Sequence, residues 1–404
     1  MHSFARLGIV LALVAGLPPL AAAEPQSIRI GYAVSKTGAY APGTNTTILP
    51  NYRLWVSDVN AQGGILLSSI GRRVPLEVIE YDDQSNPTEA LKAVERLATV
   101  DKVDFVLPPW GTHLNVTVAP LFNRYRYPHL PGAVQVEDPV EFARSYPYTF
   151  LNLGVATGGA EELVKILAEL RREGRLGEQV AIMRVADSFG TINATAAQAA
   201  LKREKFKIVY ERTYPVGTPD MRPMLRKVME RNPDIFLAYS YPPDTMAITA
   251  QAIELNFSPK IFYTSVGTAY PVFRDRFGSN AEGVMGAGGW NASAPALQDY
   301  FRRHVAVIGR EPDRWASPVT YATLQILQQA IERVGSLDRA AIREVIAKES
   351  FSTIMGPVHY VGNLLTPVWY AGQWQGGEFY GVAPTELPGA RALMFPKPAW
   401  RSAD

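Results

Sequence analysis

IRIGYAVSKTGAY, residues 28–40, opens on an apolar run and closes on a loop of small and hydroxylic residues. Ile28–Val34 is short and nearly all apolar, which suits a strand covered on both faces rather than one half exposed to water. The chain then alternates. Helical periodicity over 46–60 ends at Gly63-Gly64, a usual glycine stop. A strand follows over 74–81, and Asn86-Pro87-Thr88-Glu89 opens a helix with a capping residue, a proline at the first helical position and an acid three residues on. Further out lie a strand over 103–107, a helix over 114–125 and a short strand over 128–131. A second cycle has helices over 158–173, 191–204, 219–231 and 244–256. Its strands fall at Gln179–Val185, Lys207–Tyr214, 234–240 and Ile261–Thr264, and helices Ser317–Val334 and 337–348 come later. Apolar strands alternating with helices imply parallel sheets covered on both faces, and this many strands fit two Rossmann-like α/β lobes better than one sheet.

The chain has 404 residues, more than one hydrophobic core usually fills. Hydrophobic residues make up 47% and charged residues 19%, a globular rather than a disordered balance. The net charge of +2 carries no concentrated basic excess, so no nucleic-acid partner is expected. Cysteine is absent, which excludes a disulfide scaffold, a thiolate metal site and a cysteine nucleophile. The five histidines show no metal-ligand spacing, so no metal and no cofactor are expected. At the N-terminus, Arg6, the apolar run 7–17, Pro18-Pro19 and Ala21-Ala22-Ala23 form a secretory signal with cleavage expected after Ala23. The run is too short to span a bilayer, so the mature chain is expected to be exported and soluble.

Ligands of open α/β sheets bind beyond the carboxyl ends of the strands. The loops there are 35–45, 82–86, 108–113, 132–137, 186–190, 239–244 and 264–270, and their contents are aromatic and hydroxylic rather than acidic or basic. That favours binding an apolar small molecule over acid–base catalysis. There is no Gly-x-Ser-x-Gly elbow, Walker loop or Gly-x-Gly-x-x-Gly. Asp82-Asp83 could suggest a magnesium site, but with no third carboxylate a turn-capping pair is the better reading.

The order of Ile28–Val34, Ser35…Gly38-Ala39-Tyr40, Asp58-Val59-Asn60-Ala61-Gln62-Gly63-Gly64, Tyr81-Asp82-Asp83…Asn86-Pro87, Asp187-Ser188-Phe189-Gly190, Asn232-Pro233-Asp234, Ala281-Glu282-Gly283 and Met355-Gly356-Pro357 resembles the leucine/isoleucine/valine-binding protein family. The resemblance spans roughly 28–362. It implies the type I periplasmic binding protein fold, with two lobes, three hinge crossovers and a ligand cleft between them. The crossovers are expected near Tyr148, Trp290 and Ser352. This gives lobe 1 as 28–148 plus 291–352 and lobe 2 as 149–290 plus 353–404, with the tail after Trp374 unplaced. It also implies a monomeric periplasmic solute-binding protein that delivers a small molecule to an ABC permease of the inner membrane, and no enzyme activity.

Carried over residue by residue, Thr112 supplies a hydroxyl to a ligand carboxylate within Trp110-Gly111-Thr112-His113, at a helix N-terminus suited to an anion. Ala133 adds a backbone contact and Gln135 a side-chain one. Tyr40 walls the pocket from lobe 1, while Phe189 and Tyr241 close over it from lobe 2. Two departures stand out. The cleft disulfide of amino-acid binders would fall at Ser85 and Gly111, so both halves are missing. The acid that neutralises a ligand ammonium is replaced by Val266, unless the match slips by a residue or two or Asp187 or Asp244 takes over. The implied ligand is a carboxylate without an amine, aromatic or aryl-aliphatic. The alternatives are a branched-chain or other hydrophobic amino acid, and a ligand-sensing module of the amide-receptor type.

Overall fold

The computed structural model describes residues 24–365 and 368–401, so the expected signal segment, residues 1–23, lies outside the described residues. In the first lobe Ile28–Val34 is the central strand, parallel to Leu76–Asp82 on one side and Phe105–Leu107 on the other. Helix Pro87–Thr99 packs so tightly over it that a Cβ on Gly31 would come within 2.6 Å of Leu97 Cδ2. Asn86 caps that helix, accepting from the N–H groups of Thr88 and Glu89.

Two prolines redraw expected elements. The helix expected over 46–60 is two helices, Ala41–Thr47 and Leu49–Ala61, because Pro50 has no N–H to continue the ladder. The Ser317 hydroxyl approaches the carbonyls of Thr46 and Thr47 there, at 3.3 and 3.4 Å. Likewise Pro75 divides the strand expected over 74–81 into Arg72–Val74, which pairs with Ile65–Leu67, and Leu76–Asp82, which pairs with the central strand. The strand expected over 128–131 is a single bridge, His129 to Thr149.

The second lobe holds a seven-stranded sheet. Its order is Glu378–Ala383, Ala371–Gln375, Met285–Gly286, Ile261–Thr264, Ile235–Tyr239, Gln179–Val185 and Lys207–Tyr214. The sheet is parallel except for the first two strands, which form an antiparallel hairpin on the Met285–Gly286 edge. The tail beyond it also packs here. Gln373 exchanges hydrogen bonds with the Met394 backbone at 2.8 and 3.0 Å, and the Trp400 indole donates to the Phe257 carbonyl at 2.6 Å.

Helices Pro295–Ile308 and Ser317–Val334 return to the first lobe, where Tyr300 donates to Asn51 at 2.7 Å and Trp55 to Gln328 at 3.2 Å. The third crossing, expected near Ser352, falls later. Strands Ser350–Thr353 and Gly356–Val361 still pack on the helices of the first lobe, and the chain joins the larger sheet at Ala371. Residue 151 there pairs with residue 364, so two connecting segments run side by side.

The buried carboxylate of Asp313 gathers the chain where it re-enters the first lobe. Its Oδ1 accepts from the N–H groups of Trp315, Ala316 and Ser317 at 2.8, 2.8 and 3.1 Å, and its Oδ2 from the Ser317 hydroxyl. Removing it would strand buried donors, so Asp313→Ala should destabilise by about 3 kcal/mol. The exposed cap Asp338 should cost about 1 kcal/mol on the same change. Equal losses in urea unfolding would show that the Asp313 network is not structural.

Candidate functional site

The carboxyl ends of both sheets face one cleft, and the loops that follow the strands bring four aromatic rings together. Tyr40 and Trp110 come from the first lobe, Phe189 and Tyr241 from the second. Tyr241 stacks on Phe189 with centroids 5.0 Å apart and meets Trp110 at 5.1 Å and Tyr40 at 5.4 Å. Tyr40 lies 5.8 Å from Trp110. Local sequence explains the placement. Asp82 and Asp83 do tie the turn, accepting from Lys36 and Gln84 N–H and from the Ser35 hydroxyl respectively, and Ser85 Oγ accepts the Tyr40 N–H at 3.0 Å. Trp110 is fully buried against helix Ala41–Thr47, and a Cβ on Gly43 would lie 2.3 Å from its indole.

Gly111 adopts a φ of 85°, which turns the chain into helix Thr112–Arg124. No side chain caps this helix and no acid sits in its first turn, so its N–H groups and positive end are unanswered. The Thr112 hydroxyl accepts the Gln135 N–H at 3.2 Å.

Between the lobes lies a cavity in two neighbouring parts that share some of their lining. The first is walled by Trp110, Gly111, Thr112, Ala133, Val134, Gln135 and Tyr241. The second extends into the larger lobe and is narrow in this closed arrangement, with room for a few water molecules. Gln135, Leu153, Phe189, Val266 and Trp315 line both. Of the residues singled out in the sequence, Trp110, Gly111, Thr112, Ala133, Gln135, Phe189, Tyr241 and Val266 therefore stand on the walls. Two do not. Tyr40 backs Trp110 and Tyr241 without reaching the cavity, and His113 lies off the wall, close enough to Asp187 to favour its ionised form. Sequence reasoning missed Trp315, Leu153, Tyr239, Tyr263, Trp369 and Tyr370. Tyr239 alone stood in a loop marked for chemistry, and Trp369 and Tyr370 precede the unplaced tail.

No charged side chain lines the cavity among the described residues. Two carboxylates stand close behind it. Asp244 is fully buried, with Oδ1 accepting the Gly217 N–H at 2.7 Å and Oδ2 unpartnered. Burial pushes its carboxyl up to about 7, and the nearby Asp187 adds to the rise. Asp187 caps helix Ser188–Arg203 through the Gly190 N–H and is also pushed up by burial. Its Oδ2 and the Tyr241 hydroxyl stand close without closing a hydrogen bond of good geometry.

A two-lobed α/β body whose strand ends enclose an uncharged cavity defines a ligand-capturing protein of the type I binding class. The sequence agrees: residues 27–378 match the family model described as periplasmic binding protein, and the chain belongs to that family. It is a substrate-binding protein of the ABC-transporter type, not an enzyme. A Leu/Ile/Val-binding protein homolog of Brucella suis is 23% identical over 364 residues, covering 86% of this chain and 87% of the relative. Among solved structures, a branched-chain amino acid binding protein from Streptococcus pneumoniae in complex with isoleucine aligns with a TM-score of 0.75 at 18% identity, over 87% of this chain and 97% of the other. A solute-binding protein from Rhodopseudomonas palustris in complex with 3,4-dihydroxybenzoic acid aligns at 0.74 and 18% identity, over 88% and 96%.

Two outcomes follow from the cleft. Gly43→Ala must push the Trp110 indole from its seat, so ligand affinity and Trp fluorescence should change while far-UV circular dichroism stays the same. An unchanged affinity would place the ligand away from Trp110. The second concerns pH. An acid whose pKa is higher in the folded state binds its proton more tightly there. The stability Asp244 contributes is therefore present below about pH 4 and lost as pH rises toward 7, up to about 4 kcal/mol between those limits. Asp244→Asn keeps the acceptor for Gly217 and should flatten that slope, leaving the variant more stable than wild type at pH 8. A variant with the wild-type slope in denaturant titrations from pH 4 to 8 would rule Asp244 out as the source.

Proposed function

We propose that this protein captures a small carboxylate without an α-ammonium, aromatic or aryl-aliphatic, in the cleft between its lobes. It hands the ligand to an ABC permease in the inner membrane, and it reaches the periplasm by way of the signal cleaved after Ala23. The observation that carries the reading is the charge pattern of the cavity. Its walls hold no charged side chain, while the uncapped N-terminus of helix Thr112–Arg124 and the Thr112 hydroxyl meet it at one end. An anion is at home there. An ammonium would face Val266 and rings, and an unpaired buried cation costs several kcal/mol.

The ligands of the structural relatives, an aromatic acid in one and isoleucine in another, bracket the choice. A second reading, an amino-acid ligand, draws support from the unpartnered oxygens of Asp187 and Asp244. Neither residue lines the cavity, so an ammonium held there would need the cleft to rearrange. The ring contacts made between lobes suit a cleft that closes on its ligand.

Calorimetry with 3-phenylpropionate against phenylalanine tests the reading, and the deaminated acid should bind more tightly. Tighter binding of phenylalanine would make this an amino-acid system. Thr112→Ala should weaken acid binding by about 1.5–3 kcal/mol, and Thr112→Ser by much less, as expected for a hydrogen bond to a charged group. Equal affinities for wild type and Thr112→Ala would move the carboxylate elsewhere.

A further inference from the structure

The larger part of the cavity lies away from Thr112, inside the second lobe, and carries a polar feature of its own. Tyr239 and Tyr263 sit on neighbouring parallel strands, where Leu237 pairs with Tyr263, so the two tyrosines are diagonal neighbours on one face of the sheet. Their ring centroids are 6.0 Å apart. Both side chains are more than nine-tenths buried, at 5% and 6% exposure, and both line the cavity. Among the described residues neither hydroxyl has a hydrogen-bond partner; burial, and for Tyr239 the nearness of Tyr263, are all that perturb them. Each hydroxyl therefore opens on the chamber rather than on another protein group. Asn193 lines the same chamber. Its amide nitrogen donates to the Phe189 carbonyl at 3.0 Å, which leaves its oxygen as an acceptor.

The opposite wall is built to last. Trp369 is seated between Gly289 and Gly381, where an added Cβ would lie 2.7 and 2.3 Å from its indole. The chamber is therefore a narrow hollow that presents two tyrosine hydroxyls and one amide oxygen with no protein partner among the described residues. It has no charged lining among the described residues.

We propose that Tyr239 and Tyr263 form a distal subsite that reads a neutral hydroxyl at the far end of the ligand. The ligand is then two-ended: a carboxylate at Thr112 and, beyond an apolar ring, a phenol-type hydroxyl that accepts from a tyrosine and donates to Asn193. This rests on the acid reading above and narrows it to hydroxylated aryl-alkanoic acids.

The test is calorimetry with 3-phenylpropionate and 3-(4-hydroxyphenyl)propionate on wild type and on the Tyr239→Phe, Tyr263→Phe double variant, with unfolding temperatures checked to match. Wild type should prefer the hydroxylated acid by about tenfold or more, the size expected when a site built for a hydroxyl meets a ligand lacking one. In the double variant the preference, read as the ratio of the two affinities, should fall below about threefold. If wild type binds both acids equally, or if the preference survives in the variant, the subsite is wrong and the acid reading stands. If neither acid binds and phenylalanine does, the acid reading fails and takes the subsite with it.

Discussion

Tyr241 is the side chain on which the cleft depends. It touches Phe189 in its own lobe and Tyr40 and Trp110 across the gap. Aromatic pairs of this kind contribute about 0.5–1.5 kcal/mol each beyond the area they bury. Two of the three contacts cross between lobes, so they exist only when the cleft is shut. Closure therefore has a fixed reward of the order of 1–3 kcal/mol before any ligand enters. A ligand adds to that reward by filling the space behind the rings, and it need not assemble the contact itself. The loop after strand Ile28–Val34 serves the same end, since the Asp82 and Asp83 turn and the Ser85 hydroxyl fix Tyr40 in place.

Charge is arranged around the cavity rather than in it. Asp187 and Asp244 lie behind the rings, each with one oxygen that closes no hydrogen bond, and burial shifts both carboxyls toward their neutral form. A neutral acid beside the cleft does not repel an incoming anion. An ionised pair would. The helix N-terminus at Thr112 then acts without competition, because its first turn carries no acid and no capping side chain. The same wall would leave a cation with rings and Val266 for company, which is why the residue at that position weighs so heavily on the ligand class.

The strand and helix alternation made the fold legible, because Gln179–Val185, Lys207–Tyr214, Ile261–Thr264 and Ser317–Val334 each carry one unbroken period. Where the reading slipped, proline or tertiary pairing decided. Pro50 and Pro75 broke elements that periodicity joined. Helices Pro139–Ser145, Pro271–Phe277 and Pro295–Ile308 begin with the proline that marks a first turn, yet two of them are too short for a period to show. Eight of the residues singled out in the carboxyl-end loops line the cavity. Those loops could not reveal Tyr263, which lies within a strand, or Trp369, whose segment reaches the cavity only because the tail returns as a hairpin on the far edge of the sheet. Both depend on long-range pairing that leaves no local signal.

That returning segment changes what the cavity can recognise. An apolar wall alone separates ligands weakly, by about 1–3 kcal/mol per methylene, because a misfit there loses only contact area. A wall that also carries hydroxyls separates them more sharply, since a ligand without a matching group excludes water from them and offers nothing in return. Trp369, packed between Gly289 and Gly381, holds one side of that wall in place. The glycines therefore shape the wall by leaving room for the indole. A side chain at either would shift the indole and change the shape of the wall that faces the tyrosines.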